Sequence, residues 1–198
     1  MDDQPRRCPW ATGGEGRPFD PVMAAYHDDE WGTPVSDEVE LFERLVLESF
    51  QAGLSWSTIL HKRPAFCADF RGFSPAVVAA FDDDDRARLM ADAGIVRNRA
   101  KIDAAIGNAA AFLSVSREFG GFATYLASMV PGPALPRPPG TTMADLPAAT
   151  AVAETLSVDL RRRGFGFVGP TIVYAFMQSV GLVDDHLPGC FRHDGSSS

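Results

Sequence analysis

The sequence predicts an all-α fold, and three observations lead there. Clear period-2 alternation of apolar and polar residues is absent throughout, so half-buried strands have no signature. Runs at helical spacing recur, the plainest being Leu41, Phe42, Leu45 and Val46, and later Ile102, Ile106, Ala109 and Leu113. Proline and glycine punctuate these runs where helices start and stop. The 198 residues suffice for one domain or two small lobes sharing a core, and a hydrophobic share of 45% argues against disorder. The expectation is a single domain over 1–198 with interleaved lobes and disordered ends at 1–7 and 192–198.

Residues 1–19 have few apolar side chains beyond Trp10 and Phe19 and need an anchor. A short helix after Pro21 delivers Tyr26, His27 and Trp31 within six residues. Ser36 or Asp37 caps a helix running to about Ala52, with Glu40, Glu43 and Arg44 opposite its apolar face. Glu48 breaks that pattern. It projects from the apolar side, where a carboxylate is costly unless it meets a partner, so it is a site candidate. Gly53 breaks the helix and Trp56 offers a large flat face; Pro64 then ends the run after Trp56. Ser74 and Pro75 begin a short helix through Ala80, and Asp82–Asp85 charge the first turn of one ended by Gly94. An amphipathic helix follows from Arg97 to Leu113, and a short one over 122–130. The proline-rich stretch 131–140 is a rigid loop that divides the lobes, and a helix runs from Thr150 to Arg163. Gly164, Gly166 and Gly169 then form a bend. It feeds Pro170, the first residue of a helix over Thr171–Val180 that Gly181 caps.

No apolar run approaches the roughly 20 residues needed to cross a bilayer. The start of the chain lacks the apolar core of a signal peptide, so the expected location is cytoplasmic. Cys8, Cys67 and Cys190 are too few and too scattered for a disulfide framework; reduced thiols free to ligate metal fit better. The formal net charge of −8 counts against nucleic acid as partner, but the charges segregate. Basic residues cluster at Arg97, Arg99 and Lys101 and again at Arg161–Arg163, either as nucleic-acid contacts or as solvated helix ends. The glycine bend presents backbone N–H groups and a helix dipole to an anion, and a phosphate fits it, with Gly166, Val168 and Gly169 as donors.

Two further features carry chemistry. Cys8 and His27 could meet His186 and Cys190 in a closed Cys2His2 set, a structural rather than catalytic zinc site. His61, His193 and Cys67 are left over. Glu48, Tyr26 and Trp56 offer an acceptor, a phenol and an aromatic plate, which suit a flat cationic heterocycle such as a flipped nucleobase. A non-catalytic, zinc-stapled DNA-binding module is one alternative. A helical hydrolase holding a catalytic ion on Asp184, Asp185 and His186 is another.

From Cys8 to Cys190 the chain resembles the 3-methyladenine DNA glycosylase I family of the helix-hairpin-helix superfamily. The carrying residues include Cys8-Pro9-Trp10, Tyr26 to Gly32, Leu47-Glu48, Gln51 to Trp56, Arg163-Gly164-Phe165, Phe176-Met177-Gln178 and Asp185-His186. The resemblance implies a two-lobed helical fold with one zinc ion on Cys8, His27, His186 and Cys190. It implies a base pocket in which Glu48 accepts a hydrogen bond, Trp56 and Tyr26 stack on or bound the base, and Trp10 and Trp31 support it. The implied partner is double-stranded DNA with alkylated bases and the product free 3-methyladenine; nothing in the sequence suggests more than a monomer. Two departures stand out. Phe167 replaces the superfamily's hairpin glycine, and Asp184 stands where family members often carry Asn, at the superfamily's usual catalytic position. Pro170 and Thr171 occupy the place of the lyase-type lysine, so the expected enzyme is a monofunctional hydrolase with no Schiff base.

Overall fold

The computed structural model describes residues 5–12 and 18–193. Residues 1–4, 13–17 and 194–198, and with them part of the ends expected to be disordered, lie outside the described residues. Among the described residues every regular element is helical. A 3-10 turn at Pro9–Thr12 precedes α1 (Pro21–Asp29), α2 (Glu38–Gln51) and α3 (Trp56–Asp69). A second at Arg71–Phe73 precedes α4 (Pro75–Val78), α5 (Asp83–Ala91), α6 (Arg99–Phe119) and α7 (Phe122–Met129). A third, at Met143–Asp145, is followed by α8 (Ala151–Arg162) and α9 (Pro170–Ser179). No helix is long and apolar enough to cross a membrane.

The chain forms two compact units. The larger takes Val35–Pro131 and Ala149–Phe176, the smaller Met1–Pro34, Gly132–Ala148 and Met177–Ser198. The chain changes unit beside the proline-rich loop, where the sequence predicts a divide.

In the larger unit, Asp37 caps α2 by accepting from the N–H groups of Val39 and Glu40. The predicted stripe of Leu41, Phe42, Leu45 and Val46 is fully buried. Phe42 meets Phe112 of α6 edge-on at 5.4 Å, and Phe112 stacks on Phe122 of α7 at 4.1 Å. Glu38 joins three helices: it accepts from Ser116 Oγ at 2.6 Å and from the Phe122 N–H at 2.7 Å, so it caps α7. Three expectations need correction. Pro64 lies inside α3, which continues to Asp69 because Phe66 and Phe70 bury their rings beside Phe50. The helix begun near Arg97 runs on to Phe119 because Val115 is still core, and Gly120 at φ 76° stops it. Arg44, expected opposite the apolar face, is 1% exposed, with its guanidinium 2.9 Å from Glu40.

In the smaller unit, Asp20 caps α1 and Pro21 takes its first position. The last turn of α9 belongs here, and Gly181 at φ 71° ends it. A Cβ at Gly181 would stand 2.5 Å from the Pro34 nitrogen, so only glycine lets the two strands of chain pass. Asp185, fully buried, accepts from Arg137 of the proline-rich loop and from Gln178 Nε2. That pair ties the loop to the segment carrying His186. Arg7 and Arg192, near the chain ends, are held by Asp28 and by Thr33 Oγ1.

Candidate metal centre and candidate active site

Four side chains from the two ends of the chain converge in the smaller unit. Cys8 enters from the 3-10 turn, His27 from α1, and His186 and Cys190 from the loop after α9. All four are buried, and their ligand atoms lie within 4.8 Å of one another. Cys190 Sγ is 3.4 Å from His27 Nε2 and 3.8 Å from His186 Nδ1, and Cys8 Sγ is 3.9 Å from His186 Nδ1. The outward nitrogens are both engaged. His27 Nδ1 lies 2.8 Å from Asp28 Oδ1 and His186 Nε2 3.2 Å from the Trp31 carbonyl, which places the inward lone pairs on His27 Nε2 and His186 Nδ1. The sulfurs accept from the backbone, Cys8 from the Leu187 N–H and Cys190 from the Arg192 N–H. Cys190 is pushed toward thiolate by the hydrogen bond from the Cys8 thiol, helped by the Arg192 N–H. Four converging ligands can hold a metal ion and leave no position open for substrate.

Trp10 and Trp31 pack around this centre. Trp31 lies 4.7 Å from the His186 ring and stacks on His27 at 6.2 Å; Trp10 sits 5.0 Å from Trp31 and 6.3 Å from Tyr26. Gly32, at φ 77°, closes the shell: a Cβ there would stand 2.9 Å from His186 Nε2. Gly32→Ala is therefore expected to displace His186 and to cost about 1–3 kcal/mol from the backbone alone. Metal content and Tm should both fall; wild-type values for both would show that His186 has room to move.

The larger unit holds the carboxylate and the hairpin. Glu48 is 4% exposed on the last turns of α2. Burial pushes its pKa up to about 8, against the pull of the Arg44 charge one turn earlier. Arg44 is the nearby charge missed in the sequence, although its spacing of four residues from Glu48 was there to be read. Trp56 opens α3 half-buried, behind the Ser55 cap.

The hairpin between α8 and α9 is held by two side chains to which the sequence assigned no role. Asn108 of α6 grips Gly166 at both groups, accepting from its N–H at 2.7 Å and donating to its carbonyl at 3.0 Å. Ser157 Oγ donates to the Val168 carbonyl at 2.6 Å. Phe167 adopts φ 53°, the left-handed conformation that a glycine would favour, with its ring partly exposed. Two phosphate donors must be revised. The Gly166 N–H is taken by Asn108, and Lys101 is 7% exposed with its ammonium on the carbonyls of Phe50 and Ala52. The N–H groups of Val168 and Gly169 have no acceptor among the described residues. Arg97 and Arg99 are exposed at the start of α6, Arg99 beside Asp103. Asp184, back in the smaller unit, has Oδ1 accepting from the His186 N–H.

Two helices joined by a glycine hairpin, within an all-helical chain that also carries a buried Cys2His2 cluster, define a helix-hairpin-helix protein. The family model described as methyladenine glycosylase matches residues 16–193. DNA-3-methyladenine glycosylase 1 of Escherichia coli K12 is 44% identical over 191 residues, covering 96% of this chain and 98% of that one. A crystal structure of 3-methyladenine DNA glycosylase I superposes with a TM-score of 0.86 at 42% identity, over 95% of this chain and all of that one. A point variant of such an enzyme in complex with 3-methyladenine gives 0.84 at 36%, over 94% and 98%. The chain belongs to the methyladenine glycosylase family. It is an enzyme of that family rather than a non-catalytic binding module.

Proposed function

We propose that the protein hydrolyses the N-glycosidic bond of 3-methyladenine in double-stranded DNA, releasing the free base and leaving an abasic site for base excision repair. The observation that carries this reading is Glu48, a carboxylate buried among apolar residues and poised near pKa 8. Such a group is costly alone and gains most from an arriving cation. Methylation at N3 makes adenine cationic and weakens its bond to the sugar, so little acid catalysis is needed and selection rests on binding. Glu48 accepts from the charged base, and Trp56 offers it a π face. Asp184 is the second candidate carboxylate. The N–H groups of Val168 and Gly169, with Arg97 and Arg99, are the proposed phosphate contacts.

One zinc ion on Cys8, His27, His186 and Cys190 completes the reading. Zn–S near 2.3 Å and Zn–N near 2.0 Å make the sulfur–nitrogen edge of a tetrahedron about 3.5 Å. The observed separations of 3.4, 3.8 and 3.9 Å fit it. The ion ties the chain's ends together, and Trp10 and Trp31 orient its histidines. The enzyme is read as a cytoplasmic monomer without a lyase step.

Incubating methylated duplex DNA with the purified protein and assaying released base by chromatography tests the activity. Free 3-methyladenine is expected, and no release at equimolar enzyme would overturn the reading. A protein–DNA adduct trapped by borohydride would overturn the monofunctional assignment.

A further inference from the structure

Lys101 is the third residue of α6, its N–H on the Asn98 cap at 3.1 Å. Its ammonium donates to the Phe50 carbonyl at 2.8 Å and the Ala52 carbonyl at 2.6 Å. It also lies 6.0 Å from the centroid of the Phe167 ring. These three contacts join the end of α2, the start of α6 and the hairpin. The last carbonyls of a helix have no intrahelical partner, and a cation there satisfies them and favours the dipole. Ala52 leaves the helix at ψ 114°, Gly53 follows at φ 81°, and the Leu54 N–H closes the turn on the Gln51 carbonyl at 2.7 Å. The clamped carbonyls therefore lie on the short stretch between Glu48 and Trp56. Of the 18 lysines and arginines only Lys62 and Lys101 are lysine, and each clamps two carbonyls, Lys62 those of Ala93 and Gly94. A compact ammonium fits between two carbonyls where a planar guanidinium fork does not.

We propose that Lys101 is a positioning residue that fixes the turn after α2, and with it Glu48 and Trp56, against the hairpin at Phe167. The proposal rests on the base-reading role of Glu48 given above, and it takes Lys101 out of the phosphate-binding set. Replacing it loosens the grip on the base without changing the charges that meet DNA.

The test is Lys101→Met, read by affinity for free 3-methyladenine and by binding to undamaged duplex across a salt series. Free-base affinity is expected to fall at least about ten-fold, since two carbonyls lose their donor. The slope of log K against log salt should not change. An unchanged free-base affinity, or a slope smaller in magnitude by about 0.9 as for a lost phosphate contact, overturns the proposal. Should the variant not fold, acylation of the wild-type protein decides. Lys101 is expected to be protected equally with and without duplex, and a Lys101 that reacts freely until DNA shields it overturns the assignment. Failure of the functional reading shows separately, as a wild-type protein that neither binds nor releases 3-methyladenine. In that case amide exchange at Leu54 still reports on the turn: about ten-fold faster exchange in Lys101→Met supports the clamp, and unchanged exchange refutes it.

Discussion

Glu48→Gln is expected to lower excision of 3-methyladenine roughly a hundred- to thousand-fold while leaving affinity for DNA near wild type. The glutamine keeps the shape and one acceptor but removes the charge that a cationic base would meet. The same group predicts the pH behaviour. With a pKa near 8 in the free enzyme, Glu48 is mostly protonated at neutral pH, so kcat/KM should rise with pH and level off above about 8. The glutamine variant should show no such rise. Stability runs the other way. A carboxyl whose folded pKa lies above its ordinary 4.5 binds its proton more tightly when folded, so its favourable contribution is complete below 4.5 and lost as pH climbs through about 8. Glu48→Gln should therefore melt higher than wild type by several degrees at pH 9, with the difference shrinking toward pH 4.5. Wild-type excision by the variant, or a pH profile it shares with wild type, would remove Glu48 from the reaction.

Cys190→Ser is expected to empty the metal centre and to lower Tm by roughly 10 °C or more. The centre joins Cys8 to the loop after α9, where the Phe191 N–H also donates to the Arg6 carbonyl, and zinc sites of this type contribute on the order of 10 kcal/mol to folding. Metal analysis should give one ion per wild-type chain and less in the variant. A chelator should destabilise the wild-type protein to the same extent. Because four protein ligands close the site, added Mg2+ or Mn2+ should restore nothing. Activity regained with either ion would instead favour a catalytic ion on Asp184, Asp185 and His186. Against that stands the commitment of Asp185 to Arg137 and Gln178 and of His186 to the cysteine cluster.

Most of the helices, a cap for α2 at Ser36 or Asp37, the start of α8 at Thr150, the proline start and glycine end of α9, and the four metal-ligand candidates were legible in the sequence. So was the oddity of Glu48. These are matters of local periodicity, backbone freedom and residue type, which neighbours along the chain express directly. The errors fell where distant residues compete. Pro64 would end an isolated helix, but buried Phe66 and Phe70 carry α3 past it. Arg44 falls on the polar side of the wheel drawn for α2 and is nonetheless buried. Lys101 reads as a surface cation, but its ammonium reaches carbonyls some 50 positions back, at Phe50 and Ala52. The Gly166 N–H is spent on Asn108, 58 residues away. By itself, then, the sequence determined an all-helical chain, the four side chains that come together as candidate metal ligands, and a carboxylate out of place on an apolar stripe. Which cations are spent inside the fold, and which hairpin donors stay open, only the tertiary structure decided, because the destination of a long side chain or a hydrogen bond is set by whatever non-local packing brings within about 3 Å.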